Sequence, residues 1–338
     1  MNELERKIDI LLKDTSRSFY LTLNVLPKKM RKQIGLTYLL ARISDTIADS
    51  RVGDPKNLSY FISRYNDRIQ NITKEIPDLT DLSALQENLA EKELLKNINI
   101  PIDYLEKSNS ISDSDRMKIR QCLEIIIKGQ KLDLERFGMP TKENIIALKS
   151  EKELDDYTYS VAGSVGEFWT HMTIDHQFVT NEKLRKKLFE KGIKFGKALQ
   201  LINILRDIPE DILIGRCYIP EDELLRYNLI PDDLLDMKKM NEFRPLYDSY
   251  ISKTYGYLKD AIDYVSLLPN NEYRLRLSCL LPILIGQRTL RMLTENNVLD
   301  GENRIKVSRK DIKKIFRRAL FASLSKNKSL NLLKKNMI

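Results

Sequence analysis

The sequence predicts an all-α protein, on three observations. Apolar residues recur at helical spacing over long stretches of the 338 residues. Alternating β-branched runs, which would read as strands, are few. Glycine and proline are sparse, at 12 and 11, while Leu, Ile, Lys and Glu are abundant. A chain of this length buries a sizeable core. Repeats and low-complexity segments are absent and no linker is long enough to force a division, so one helical body is expected.

Residues 3–12 read as a short helix ahead of Asp14-Thr15-Ser16-Arg17-Ser18-Phe19. Pro27 opens a long helix over 28–50, in which Tyr38, Arg42, Asp45 and Asp49 project together at spacings of four, three and four. Asp54-Pro55 combines an N-cap with a proline at the first helical position and starts a helix to about Asn71. Residues 77–101 are less regular, with one helix near 82–97. Ser112 caps a helix that runs to about Phe137, where Gly138 and Pro140 stop it. The stretch 151–175 is helical and sets Tyr157, Val161 and Val165 on one stripe, with Ala162, Gly163, Ser164 and Gly166 around them. A glycine in a helix interior costs about 1 kcal/mol, so these predict close approach by a neighbouring helix or by a ligand. Thr180-Asn181 leads into a central helix that ends near Leu213, before Gly215. Helices near 241–268 and 271–297, a Gly301 turn and a basic tail helix complete the chain.

The net charge of +9 has one source. Residues 304–338 hold 12 Lys or Arg against a single acid, Asp311, which leaves −2 for residues 1–303. The basicity belongs to the tail, so the two expected parts are a helical body over 1–303 and a basic tail over 304–338. The body offers no interleaved aromatic and basic surface, and no nucleic-acid partner is expected. No run of about 18 apolar residues occurs, so no spanning helix is expected. Residues 1–13 are charged and amphipathic, unlike a signal peptide. Cys122, Cys217 and Cys279 read as reduced core residues of a cytoplasmic protein. His171 and His176 read as helix-surface residues, without the cysteine cluster of a zinc site.

The chemistry lies in two stripes. From Ala198 to Pro220 the chain reads ALQLINILRDIPEDILIGRCYIP, placing Gln200, Asn203, Asp207 and Asp211 on one side of an otherwise apolar helix. Arg206 lies beside them, and Arg216 and Tyr218 follow. With 48 acids in 338 residues, roughly seven acidic i,i+4 pairs arise by chance, most of them on solvated faces. Asp45/Asp49 and Asp207/Asp211 stand apart because their helices are otherwise apolar and each pair has an arginine at hand. Hard oxygen donors a turn apart, with guanidinium groups beside them, suit Mg²⁺ and a diphosphate.

These two stretches, with SRSF at 16–19 and YTYSVAGSVG at 157–166, resemble the squalene/phytoene synthase family of head-to-head prenyl synthases, from about Ser16 to Arg304. The resemblance implies a helical isoprenoid-synthase fold around a central prenyl cavity. By it, Asp45, Asp49, Asp207 and Asp211 match the positions that bind Mg²⁺ and substrate diphosphates, with Asn203 a further metal ligand and Gln200 assisting. Ser16, Arg17, Tyr38, Arg42, Arg206, Arg216 and Tyr218 match the diphosphate surroundings, and Phe19 an aromatic near the allylic chain. Tyr157 matches a tyrosine implicated in proton handling; Val161, Ala162, Val165 and Gly166 match the cavity wall.

The family's reaction joins two C15 or C20 prenyl diphosphates through a cyclopropylcarbinyl diphosphate. Cys279 and Pro282 resemble the CxxP segment of squalene synthases, whereas GRCYIP at 215–220 resembles the form common in phytoene synthases. The reading taken is squalene formation from two farnesyl diphosphates through presqualene diphosphate, with Mg²⁺ and NADPH. The alternatives are phytoene or dehydrosqualene synthesis without a hydride step, or arrest at presqualene diphosphate. A helical adaptor would account for the fold but not for the acid–arginine stripes. In the tail, Ile312, Ile315, Phe316, Leu320, Phe321 and Leu324 lie among lysines and arginines, which suits either peripheral contact with the cytoplasmic face of a membrane or a solvated helix end packing on the body.

Overall fold

Pro27, Gly138 and Gly215 fall where helices begin or end, and the helices between them carry nearly all of the structure. The structure is a computed structural model, described here for residues 3–16, 19–50, 55–138 and 140–337. Among these residues there are sixteen α-helices: α1 (Glu3–Ser16), α2 (Phe19–Val25), α3 (Lys28–Ala48), α4 (Pro55–Ile69), α5 (Thr80–Ala84), α6 (Leu89–Lys96), α7 (Asn99–Lys107), α8 (Asp113–Phe137), α9 (Glu151–Thr158), α10 (Ser164–His176), α11 (Glu182–Leu213), α12 (Glu221–Arg226), α13 (Met240–Leu267), α14 (Tyr273–Glu295), α15 (Arg309–Ser323) and α16 (Lys326–Lys335). The all-α prediction holds.

The chain forms two compact units, residues 1–138 with 171–179, and residues 139–170 with 180–338. In the first, α3 is the central element and packs on α1, α4, α6, α7 and α8. Leu36, Leu39, Leu40, Ile43 and Ile47 of α3 are fully buried, which leaves only a narrow stripe of that helix for polar side chains. Ser112 caps α8 by accepting from the Asp115 amide at 3.1 Å, and Gly138 ends it at φ +58°. The expected single helix at 82–97 is instead split into α5 and α6, with α7 following from Asn99. Asn88 starts α6 by accepting from the Ala90 amide at 3.0 Å, and Pro101 sits in the first turn of α7, where its missing N–H costs nothing. Helix α2 was not foreseen, and Asp54 lies outside the described residues. His176 is half-buried and meets Asp115 at 2.9 Å, a core pair where a surface histidine was expected.

In the second unit α11 packs on α13 and α14, with α15 and α16 laid on α14 as a hairpin. Asn181 caps α11 by accepting from the Leu184 amide at 2.8 Å. Pro209 lies inside α11 and removes the donor that the Leu205 carbonyl would receive. The buried Tyr247 of α13 supplies it, its hydroxyl donating to the Leu205 oxygen at 3.1 Å, so the helix runs on to Leu213. Gly215, at φ +78°, then turns the chain into a two-residue parallel ladder that pairs Ile146–Ala147 with Arg216–Cys217.

Between α9 and α10 the backbone is not α-helical. Tyr159–Gly163 forms a π-helical turn, with bonds from i to i+5, a feature common at functional sites. The stripe drawn through Tyr157, Val161 and Val165 at α spacing therefore drifts: Val161 is half-buried and Val165 is exposed. The neighbour announced by the glycines is α11. A Cβ on Gly166 would overlap the Gly192 carbonyl, and one on Gly196 the Ala162 carbonyl.

Candidate diphosphate and metal site

In the first unit the charged stripe of α3 is built around Arg42. Its guanidinium donates to Asp45 on its own helix and to Glu91 of α6. Asn88 also donates to Glu91, at 3.0 Å, which fixes that carboxylate in turn. Burial works against the Arg42 charge, but Asp45 and Glu91 outweigh it and hold its pKa above the ordinary value. The Asp45 side chain keeps 39% of its surface open. Its pKa is nonetheless pushed above the usual carboxylate range, first by the surrounding protein and then by the like charge of Asp49, with Arg42 opposing. Asp49 is exposed at the end of α3, where its amide bonds the Asp45 carbonyl at 2.8 Å.

The other predicted residues of this unit are less uniform. The Tyr38 hydroxyl donates to the Thr15 carbonyl at 3.1 Å, and its ring lies 5.1 Å from that of Phe19. Ser16 is buried and its hydroxyl bonds back to the Leu12 carbonyl of its own helix. Arg17 lies outside the described residues. Glu91, the partner that holds Arg42, was missed: an acid on a short polar helix resembles any solvated one until the tertiary contact is seen.

In the second unit the stripe of α11 emerges as drawn from the sequence. Leu201, Ile202, Ile204, Leu205, Ile208 and Ile212 are buried, whereas Gln200, Asp207 and Asp211 are half-buried and Asn203 is exposed. Arg206 grips its neighbour Asp207 with two nitrogens, Nε at 2.8 Å and a terminal nitrogen at 2.5 Å. Arg304 reaches the same carboxylate at 3.1 Å and Glu210 at 2.7 Å. The second Glu210 oxygen is buried without a hydrogen-bond partner. Arg216 and Tyr218 are set by the short ladder and, with Asp211, line a narrow cleft floored by Ile204, Ile208 and Ile212. Tyr157 stacks on Tyr218 with centroids 4.7 Å apart and planes at 24°. Val161 and Ala162 lie on the π-turn; Gly166 lies against Gly192.

These donors fit a hard divalent cation. In the first unit the like charge of Asp49 adds to the cost of ionising Asp45, which a cation would relieve; in the second, Glu210 presents an unpartnered oxygen next to the Arg304 that also holds Asp207. Among the described residues no three acidic, His or Cys side chains already converge as a metal cage. Asp207 instead accepts three bonds from the Arg206 and Arg304 guanidinium groups. Among those same residues no glycine-rich strand–turn–helix exists to hold a dinucleotide, and no residue is assigned to NADPH.

Known proteins bear on this arrangement. The profile of the squalene/phytoene synthase family matches residues 12–311. A bifunctional lycopene cyclase/phytoene synthase of Arthroderma gypseum is 26% identical over 301 residues, 88% of this chain and 48% of that protein. This chain thus spans about half the length of that relative. In fold it is similar to the ligand-bound structure of TcSQS with E5700, at a TM-score of 0.81 and 19% identity, over 99% of this chain and 90% of that one. A dehydrosqualene synthase bound to a ligand gives a TM-score of 0.66 at 18% identity, over 94% of this chain and 96% of that one. With the family profile spanning residues 12–311, the chain belongs to the squalene/phytoene synthase family.

Proposed function

We propose that this protein joins two prenyl diphosphates head to head, with two farnesyl diphosphates as substrates and squalene, formed through presqualene diphosphate, as product. The observation that carries this reading is the α11 stripe, where carboxylates and guanidinium groups crowd one side of a helix that is otherwise buried. Asp45, Asp49, Asn203, Asp207 and Asp211 would hold Mg²⁺, with Gln200 assisting. The ion supplies neutralisation of the charge that grows on a departing diphosphate. Arg42 in the first unit, and Arg206 and Arg216 in the second, would contribute fixed positive charge to diphosphate oxygens, and the resemblance adds Ser16, Arg17 and Tyr38 to the diphosphate-binding set. Tyr157, stacked on Tyr218, offers a π-face to an allylic cation and a hydroxyl for the proton that ring closure releases. By the resemblance, Phe19 in the first unit would meet a prenyl chain, as would Val161, Ala162, Val165 and Gly166 in the second.

A phytoene-forming reading has its own support in the relative from Arthroderma gypseum and in the GRCYIP segment. Incubation with farnesyl diphosphate and Mg²⁺, with and without NADPH, separates the branches. Squalene formed only with NADPH is the expected result. A C30 polyene in both incubations marks dehydrosqualene synthesis, a C40 product from geranylgeranyl diphosphate marks phytoene synthesis, and presqualene diphosphate alone marks arrest. No consumption of either substrate would sink the proposal. Asp207→Ala is expected to abolish diphosphate release while leaving the helical circular dichroism unchanged.

We further propose that the tail lies on an anionic membrane surface on the cytoplasmic side. Phe321 and Leu324 are 72% and 67% exposed, and Lys313, Lys314, Arg317 and Arg318 are exposed beside them. The buried side of α15, at Ala319, Ala322 and Ser323, belongs to the packing of the hairpin. Truncation would therefore disturb the fold, and point changes are the better probe. Phe321→Ser with Leu324→Ser is expected to reduce flotation with vesicles containing phosphatidylserine; unchanged flotation removes the idea.

A further inference from the structure

Arg304 belongs to the basic tail by charge, yet the fold spends its guanidinium elsewhere. The turn before it is built: Asn303 donates to Asp300 at 2.8 Å, and Gly301 lies beside Pro209 of α11. After it, Ile305 and Val307 are buried while Lys306 points outward. The segment is thereby pinned along α11, and Arg304 alone turns back to bridge Asp207 and Glu210, one helical turn apart.

We infer that Arg304 is a positioning residue of the acid stripe that competes with a divalent cation for Asp207. The inference rests on the reading of Asp207 as a cation ligand. Both Asp207 oxygens are engaged: Arg206 takes the pair, and Arg304 shares the first. With Oδ1 accepting two of these bonds and Oδ2 one, a cation held by both oxygens of this carboxylate has to displace a guanidinium. Arg206 is the more enclosed, with 27% of its side chain exposed, and it grips with two nitrogens. Arg304 is 53% exposed and contributes one nitrogen at a longer distance, so it is the group that yields. It keeps the second hold, on Glu210, and so stays beside the site after release. In the absence of cation it neutralises two acids that would otherwise repel; in its presence it is left paired with Glu210 alone at the edge of the stripe.

The test uses Mn²⁺ alone as probe, titrated into the full-length protein and followed by the electron paramagnetic resonance signal of the free ion. Arg304→Gln is expected to bind Mn²⁺ roughly two- to fivefold more tightly than wild type, the range set by an exposed ion pair of about 0.4–1 kcal/mol. Lys306→Gln removes the same charge two residues along and is expected to leave the affinity within experimental error. Equal tightening in both variants would mean a general field effect and would overturn the inference, as would no tightening in Arg304→Gln. Asp207→Asn serves as the third arm. If it weakens Mn²⁺ binding while Arg304→Gln has no effect, the cation site stands and the role of Arg304 fails. If Asp207→Asn changes nothing, the cation assignment itself fails.

Discussion

Two buried polar residues show how single hydrogen bonds hold this fold. Tyr247 donates to the carbonyl that Pro209 leaves without a partner, and burial pushes its phenol well above the ordinary value, so it stays a neutral donor. Tyr247→Phe should cost about 1–3 kcal/mol in urea unfolding, the penalty of an unmet buried carbonyl, with the fraying confined to the Pro209 turn in hydrogen exchange. Asp115 is the second case. Burial pushes its carboxyl up, but hydrogen bonds from Gln33 and His176 and the His176 charge outweigh this and hold it below the usual carboxylate range. A depressed folded-state pKa stabilises the protein above the unfolded value, about pH 4, and that stability is lost as pH falls through the folded value. Asp115→Asn should therefore be less stable than wild type at neutral pH, with the gap closing below about pH 4. A gap that stays constant with pH would show that the charge of Asp115 contributes nothing.

At the scale of elements, the glycines of α10 and α11 set how closely two helical segments approach. Gly166 and Gly192 meet backbone to backbone, and Gly196 meets the π-turn at Ala162. Gly166→Ala should destabilise by about 2 kcal/mol or more, since carbonyl groups and not flexible side chains must move. Gly256→Ala in α13 is the matching control. Nothing stands within 4 Å of its added Cβ, so the change should be neutral or stabilise by up to about 1 kcal/mol. If both substitutions behave alike, the close approach is not what these glycines are for. The same contact bears on Gly166 as a cavity residue, because the neighbour that demands its small size is Gly192.

Over the whole molecule, the basic C-terminal segment is integrated into its unit. Arg276 of α14 is fully buried and donates to the carbonyls of Ser323, Pro269 and Asn270 at 2.8–3.0 Å. Gln287 donates to the Leu333 carbonyl at 3.0 Å. Removing residues 309–338 would take away one of the three acceptors of a buried cation and expose Leu333's site. That deletion should lower the midpoint of thermal unfolding by several degrees and reduce the yield of soluble protein. An unchanged midpoint would show that the hairpin adds no stability.

The fold class was readable from 3.6-residue periodicity, and most helix ends from single residues such as Ser112, Asn181 and Gly215, because capping and backbone permissiveness are local properties. The acid stripes of α3 and α11 were readable for the same reason: their spacing is set within one helix. Glu91, the Tyr247 hydroxyl, the π-turn and the ladder that aims Arg216 were not, since each depends on what another segment brings near. Charge by itself assigned Arg304 to the tail. Only the tertiary structure, which buries Ile305 and Val307 on either side of Lys306, gave its guanidinium to Asp207. Local spacing thus determined which residues could carry the chemistry, while long-range packing decided which partners hold them, because a charged side chain looks the same in sequence whether water or another side chain answers it.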